Sequence, residues 1–236
     1  TRASWYAYPP ATLHRRVSAL GQAAGEKLLR DLALADSLVV AGVNSSRGVT
    51  VAGQPEQLAV LEAALSAQQI SWKRLDLDYA FHSPAMDGIE TEIRSVLSHL
   101  QPAATTIPFI STVSGGALPG QRLDAEYWWL NVRQPVRFAA AIDGLVDEGM
   151  NLFVEIGPHP ILRSYASDGL HDRQIEGRVI PTLRKDDESP LHIWRAAEQS
   201  MIAGANIDWL RFFPSPGQRI RLPNYPWQRE RYWHPV

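Results

Sequence analysis

Two short apolar runs rich in β-branched residues, 38–43 and 49–53, stand either side of Asn44-Ser45-Ser46-Arg47-Gly48. The intervening residues are turn chemistry, so the pair is expected to fold back as an antiparallel hairpin. Before the hairpin, 17–20 is a short apolar strand candidate, and Leu28, Leu29, Leu32 and Ala33 recur at helical spacing across 26–34. After it, Leu58, Leu61, Ala64 and Leu65 share one face of a predicted helix over 55–67, with Pro55 suited to its first turn. The alternating stretch 72–77 closes the set. Strand, helix, strand, strand, helix, strand is the ferredoxin-like order, and residues 16–77 are expected to form one such subdomain. Residues 1–15, with Pro9-Pro10 and three aromatics, read as a leading segment without regular structure.

A second region, 78–204, alternates in a different way. Met86, Ile89, Ile93, Val96, Leu97 and Leu100 recur at helical spacing, and Ser83-Pro84 supplies an N-cap and a first-turn proline, so 83–100 is predicted to be one helix. Strands are expected at 108–113, 152–156 and 179–183, and helices at 124–130, 136–148 and 191–203. Strands alternating with helices imply a parallel α/β layer sandwich. From 205 the chain becomes aromatic and basic, with Trp209, Phe212, Phe213, Tyr225, Trp227, Tyr232 and Trp233 among prolines and arginines.

Composition excludes several chemistries. With no cysteine, disulfides, thiolate metal sites and cysteine nucleophiles are impossible, and a reducing, cytoplasmic location is expected. A net charge of −2 gives no electrostatic reason to expect nucleic acid or an anionic membrane. No apolar run approaches the roughly 20 residues that span a bilayer, and no metal-ligand spacing occurs. The opening Thr1-Arg2-Ala3-Ser4-Trp5, without an initial Met, is expected of a piece of a longer polypeptide or a processed chain.

His82, in Tyr79-Ala80-Phe81-His82-Ser83-Pro84, is the leading candidate for chemistry. It lies between a predicted strand and a predicted helix, where α/β folds place ligands. The positive end of the following helix would favour the neutral imidazole that a general base needs. The alternative is a capping or surface histidine. His159, between Pro158 and Pro160, is expected to serve a fixed turn, and Glu155 to be either paired or at the cleft. His14, His99 and His192 have no evident partners and are expected at the surface.

Tyr79–Pro84 resembles the histidine motif of polyketide synthase acyltransferase domains. Four further stretches agree in order. The hairpin 41–53 resembles the family's small ferredoxin-like subdomain. Trp128-Trp129-Leu130-Asn131-Val132-Arg133-Gln134-Pro135-Val136-Arg137-Phe138 resembles its asparagine segment. Phe153-Val154-Glu155-Ile156-Gly157-Pro158-His159-Pro160 resembles its glycine-proline-histidine-proline strand end, and 222–233 resembles the linker that follows the domain. Five ordered motifs over roughly 16–236 are far more specific than any one of them.

The resemblance implies an α/β fold: part of an α/β-hydrolase-like acyltransferase core (78–204) with the inserted ferredoxin-like subdomain, followed by a post-acyltransferase linker (205–236). It implies ping-pong acyl transfer from an acyl-coenzyme A to the phosphopantetheine thiol of an acyl carrier protein, with no bound cofactor. His82 would be the base. The family's histidine is oriented by a backbone carbonyl of the asparagine segment, for which Asn131 is the matching position; read locally, Asn131 is a helix C-cap. Phe81 before the histidine goes with malonyl units, its ring filling the space of an α-methyl group; Tyr79 is commoner with methylmalonyl. Arg2 falls where the family binds the substrate carboxylate.

One part of the pattern is missing. The 236 residues contain no Gly-x-Ser-x-Gly elbow, so the serine nucleophile is expected outside them, in an N-terminal half of the domain that would be a partner of this piece. Adjacent ketosynthase and linker domains are the other implied partners, the aromatic tail being interface-like. The competing reading is a non-catalytic module that docks neighbouring synthase domains.

Overall fold

The computed structural model describes residues 13–18, 20–75, 81–185, 187, 189–215, 217–227, 229–230 and 232–233. The hairpin that constrains the sequence is present. Strand β2 (Leu38–Ser45) turns through Ser46 and Arg47 into β3 (Gly48–Gly53), with Ser45 opposite Gly48. Around it lie β1 (Leu13–Ser18), helix α1 (Gln22–Asp31), helix α2 (Pro55–Ala67) and β4 (Trp72–Leu75). The sheet order is β4-β1-β3-β2, with every neighbouring pair antiparallel. Leu38, Leu58, Leu61 and Leu65 are at most 1% exposed and pack with Leu28, Leu29, Val49 and Val51 into one core beneath the helices. Burying each leucine is worth about 1.5–3 kcal/mol. A one-residue slip of β3 would turn Val49 and Val51 out of that core, so packing sets the register.

A fifth strand, β7 (Val136–Arg137), joins this sheet. It runs parallel to β2, Gly42 opposite Val136 and Val43 opposite Arg137. The segment just before it belongs to helix α4 (Ala125–Arg133), whose N-cap Asp124 accepts a 3.0 Å hydrogen bond from the Tyr127 amide. Helices α5 (Phe138–Asp147) and α6 (Arg163–Asp172) bury Ile142, Val146, Ala166 and Leu170 against Phe153 and Val179. Those two aromatic and aliphatic side chains belong to the parallel pair β8 (Leu152–Glu155) and β9 (Arg178–Pro181). Helix α7 (His192–Ile202) and the short α8 (Trp209–Phe212) follow, with Trp194 against Phe212 and Phe213 at ring-centroid distances of 5.0 and 5.4 Å.

Several boundaries differ from the sequence-based expectation. The predicted helix over 83–100 is a 3₁₀ turn (Pro84–Ile89) followed by the eight-residue helix α3 (Glu90–Leu97). Gly88 within the first turn lowers helical propensity there, and Met86 and Ile89 reach Trp129 of α4 from the tighter geometry. The strand expected over 108–113 shrinks to β5 (Ile110–Ser111), paired antiparallel with β6 (Gly116–Ala117) instead of entering a parallel sheet. Gly115, at φ +78°, makes that reversal, and a Cβ on it would stand 2.8 Å from the Ala140 Cβ. The first strand starts at Leu13, inside the segment expected to lack structure.

Candidate active site

His82 leads into the 3₁₀ turn with its backbone at φ +62°, in the left-handed region that a histidine adopts only when its surroundings hold it there. The hold comes from the end of α4. A helix leaves its last carbonyls without amide partners, and the Val132 oxygen accepts the His82 amide at 2.8 Å. Pro135 then restricts the residue before it to extended backbone. Gln134 accordingly sits at φ −81° and ψ 152°, ending the helix and turning its carbonyl out of the helical ladder. The Nδ1–H of His82 donates to that oxygen at 2.9 Å. A carbonyl only accepts, so the contact assigns the hydrogen to Nδ1, and the neutral ring carries its lone pair on Nε2.

This corrects the role expected of Asn131. The orienting carbonyl is Gln134's, three residues further on. Asn131 is neither the orienting position nor a C-cap, because α4 continues to Arg133 and the C-cap is Gln134. It faces a shallow apolar groove with Ile93, Leu97 and Trp128. The signal that could have found Gln134 is its proline neighbour, which ends the helix at a known place. The helix-dipole argument for His82 also changes, since the turn after it is 3₁₀ and α3 begins only at Glu90.

The surrounding segment is fastened at other points. Ser83 is buried and its Oγ accepts the Ala85 amide at 3.3 Å, capping the 3₁₀ turn as the Ser-Pro pair predicts. Arg133 pairs with Asp87 in the same turn. The Phe81 ring, 38% exposed, lies 6.3 Å from the imidazole, centroid to centroid. Tyr79 and Arg2 lie outside the described residues. A cavity of about 580 Å³ opens beside Pro135 and Arg137, walled on the other side by Val39, Val40 and Val43 of β2 and by α1.

The remaining candidates resolve into local structure. Glu155 is paired: its Oε1 accepts the amides of Ile161 and Leu162 at 2.7 and 2.8 Å, anchoring the chain as it enters α6. His159 Nδ1 accepts the Lys185 amide at 3.5 Å, linking the turn after β8 to the loop after β9. His192, expected at the surface, is instead buried at the start of α7, with Nε2 3.0 Å from Asp187 Oδ2. The Ser189 amide, together with His192, holds the Asp187 carboxyl below its ordinary pKa. Among the described residues no group of three or more His, Asp or Glu side chains could hold a metal ion, and no helix is long and apolar enough to cross a membrane.

Comparison with known proteins shows the family to which the chain belongs. The family pattern described as "Acyl transferase domain" matches residues 7–207. The chain is 36% identical over 199 residues to polyketide synthase GfsA of Streptomyces halstedii, covering 84% of this chain and 3% of that protein. It is 33% identical over 217 residues to erythronolide synthase EryA2 of Saccharopolyspora erythraea, covering 91% and 6%. Among solved structures it resembles the acyltransferase domain from module 8 of the salinomycin polyketide synthase, with a TM-score of 0.80 at 30% identity, covering 85% of this chain and 47% of that one. A loading acyltransferase from the avermectin modular polyketide synthase matches with a TM-score of 0.74 at 32% identity, covering 81% and 60%. The chain thus spans a small fraction of these synthases and about half of the salinomycin domain. On sequence and fold together, it belongs to the acyl transferase domain family as found in polyketide synthases.

Proposed function

We propose that this chain carries the base of an acyltransferase that moves an extender acyl unit from coenzyme A to an acyl carrier protein. The observation that carries the reading is the Nδ1–H contact of His82 with the Gln134 carbonyl, which leaves Nε2 as the proton acceptor. In the first half-reaction Nε2 takes the proton of a serine hydroxyl, supplied by residues outside these 236, as that oxygen attacks the thioester carbonyl. The tetrahedral adduct collapses, coenzyme A leaves as its thiol with the proton from His82, and an acyl-serine ester remains. In the second, Nε2 takes the proton of the phosphopantetheine thiol, the thiolate attacks the ester, and the proton returns to the serine oxygen.

The strand order β4-β1-β3-β2 supports reading the unit from β1 to β4 as the ferredoxin-like subdomain, with the α/β-hydrolase-like core after it and a linker from about residue 205. The exposed Phe81 ring beside His82 supports malonyl as the acyl unit, by occupying space that an α-methyl branch would need. A carrier protein, a ketosynthase and linker domains are the partners this reading implies, in the cytoplasm.

The test is acyl loading of a polypeptide that contains both this chain and the serine elbow. His82→Ala is expected to lower loading by about 10²–10⁴-fold while the far-ultraviolet circular dichroism stays the same. Loading at the parental rate in that variant overturns the assignment. Competing malonyl- and methylmalonyl-coenzyme A on the parental polypeptide is expected to load malonyl, by a margin of about 1–3 kcal/mol in kcat/KM; preferential methylmalonyl loading refutes the role given to Phe81.

A further inference from the structure

The three residues that close α4 each hold the segment bearing His82. The Val132 oxygen accepts its amide at 2.8 Å, and the Gln134 oxygen accepts its ring Nδ1–H at 2.9 Å. Between them, the Arg133 guanidinium pairs through Nε with Asp87 in the 3₁₀ turn. The first two contacts use backbone carbonyls and are indifferent to which side chains stand at 132 and 134. The third depends wholly on side-chain chemistry. It also acts close to strained backbone: His82 is at φ +62°, a conformation that persists where the surrounding structure holds it. Behind the turn, Met86 and Ile89 pack on Trp129, and Arg94 of α3 pairs with Glu90 and Glu126, so the far side of α3 is separately tied to α4. Among the described residues, Asp87–Arg133 is the ion pair that joins the 3₁₀ turn to the end of α4.

We propose that Asp87 and Arg133 are positioning residues: their ion pair keeps the His82 segment against the end of α4, and so keeps the imidazole in the Nδ1–H form with Nε2 unprotonated. The inference rests on the reading of His82 as the base. The pair is open to solvent on its Asp87 side (57% exposed, against 24% for Arg133), and that screening limits its contribution to global stability, so its effect falls mainly on the geometry of one ring.

Nitrogen-15 NMR of the ring nitrogens of His82, in a labelled polypeptide that contains this chain together with the serine elbow and at a pH where the imidazole is neutral, tests this directly. The parental chain is expected to carry the hydrogen on Nδ1. In Asp87→Asn and in Arg133→Gln, the Nε2–H form, which imidazole prefers when only water surrounds it, becomes the major one, with unchanged circular dichroism and melting. The charge-swapped Asp87→Arg/Arg133→Asp double variant restores the parental spectrum, which a purely packing role would not. An unchanged Nδ1–H signal in both single variants overturns the proposal and leaves the base assignment standing. An Nε2–H signal in the parental chain overturns the base assignment itself, and the proposal with it. If Arg133→Gln fails to fold, Asp87→Asn decides alone, since the Asp87 side chain is 57% exposed and its loss opens no cavity.

Discussion

At the scale of single residues, the site is organised by an atom that has no side chain. The Nδ1–H of His82 meets a main-chain carbonyl, and any residue at 134 would offer the same oxygen. What makes position 134 special is Pro135, which forces extended backbone before it and frees the carbonyl from the helix. Asn131, one turn earlier, is then a bystander. Asn131→Ala is expected to leave His82 in its Nδ1–H form and acyl loading within about a factor of two, far inside the loss that accompanies removal of a base; a loss near that of His82→Ala would restore the role the motif first suggested. The sequence singles out His82 as a candidate because its motif is carried by side chains. Its partner was not, because a backbone acceptor leaves no mark on composition except through the proline that positions it.

At the scale of elements, the apolar periodicity identified α2 and both hairpin strands nearly to the residue, since those patterns face one shared core. Leu61, 1% exposed at the centre of that core, tests the packing: Leu61→Ala is expected to cost about 2–5 kcal/mol, read as a lower urea midpoint at unchanged slope. A change below about 1 kcal/mol would mean that the helix is not held by its apolar face. Elsewhere periodicity misled. The i, i+3, i+4 pattern over 86–100 does not separate a 3₁₀ turn joined to an α-helix from one long helix: Met86, Ile89 and Ile93 stay in one apolar cluster with Trp129 across the junction. The run 108–113 is apolar enough for a buried strand, yet only Ile110 and Ser111 form one, because the chain reverses at Gly115; the Phe109 and Thr112 carbonyls add single hydrogen bonds, accepted from the Leu118 and Arg137 amides.

At the scale of the whole molecule, two differently built parts meet along a seam. The tip of the β2–β3 hairpin lies against α6: a Cβ on Gly48 would come within 3.2 Å of the Tyr165 ring, Arg47 reaches Asp168 at 3.3 Å, and Ser46 bonds Asp172. Tyr165 is 7% exposed, whereas Arg47 is more than half exposed. Burial outweighs charge in such a seam, so Tyr165→Ala is expected to destabilise by about 3–5 kcal/mol and Arg47→Ala by less than about 1 kcal/mol, the latter shrinking further in high salt. Equal effects in chemical denaturation would refute that ranking. The amino-acid order alone was enough for the elements of the hairpin unit, its turn chemistry, the absence of cysteine chemistry and the family to which the motifs point, since each depends on neighbours along the chain; α6, β6 and β7 were not in that reading. Which carbonyl holds His82, that Glu155 anchors the entry to α6, that His192 is buried beside Asp187, and that β7 is sewn to β2 emerge only in the folded chain. Those contacts join residues brought together by packing, and a one-dimensional pattern carries no distance between them.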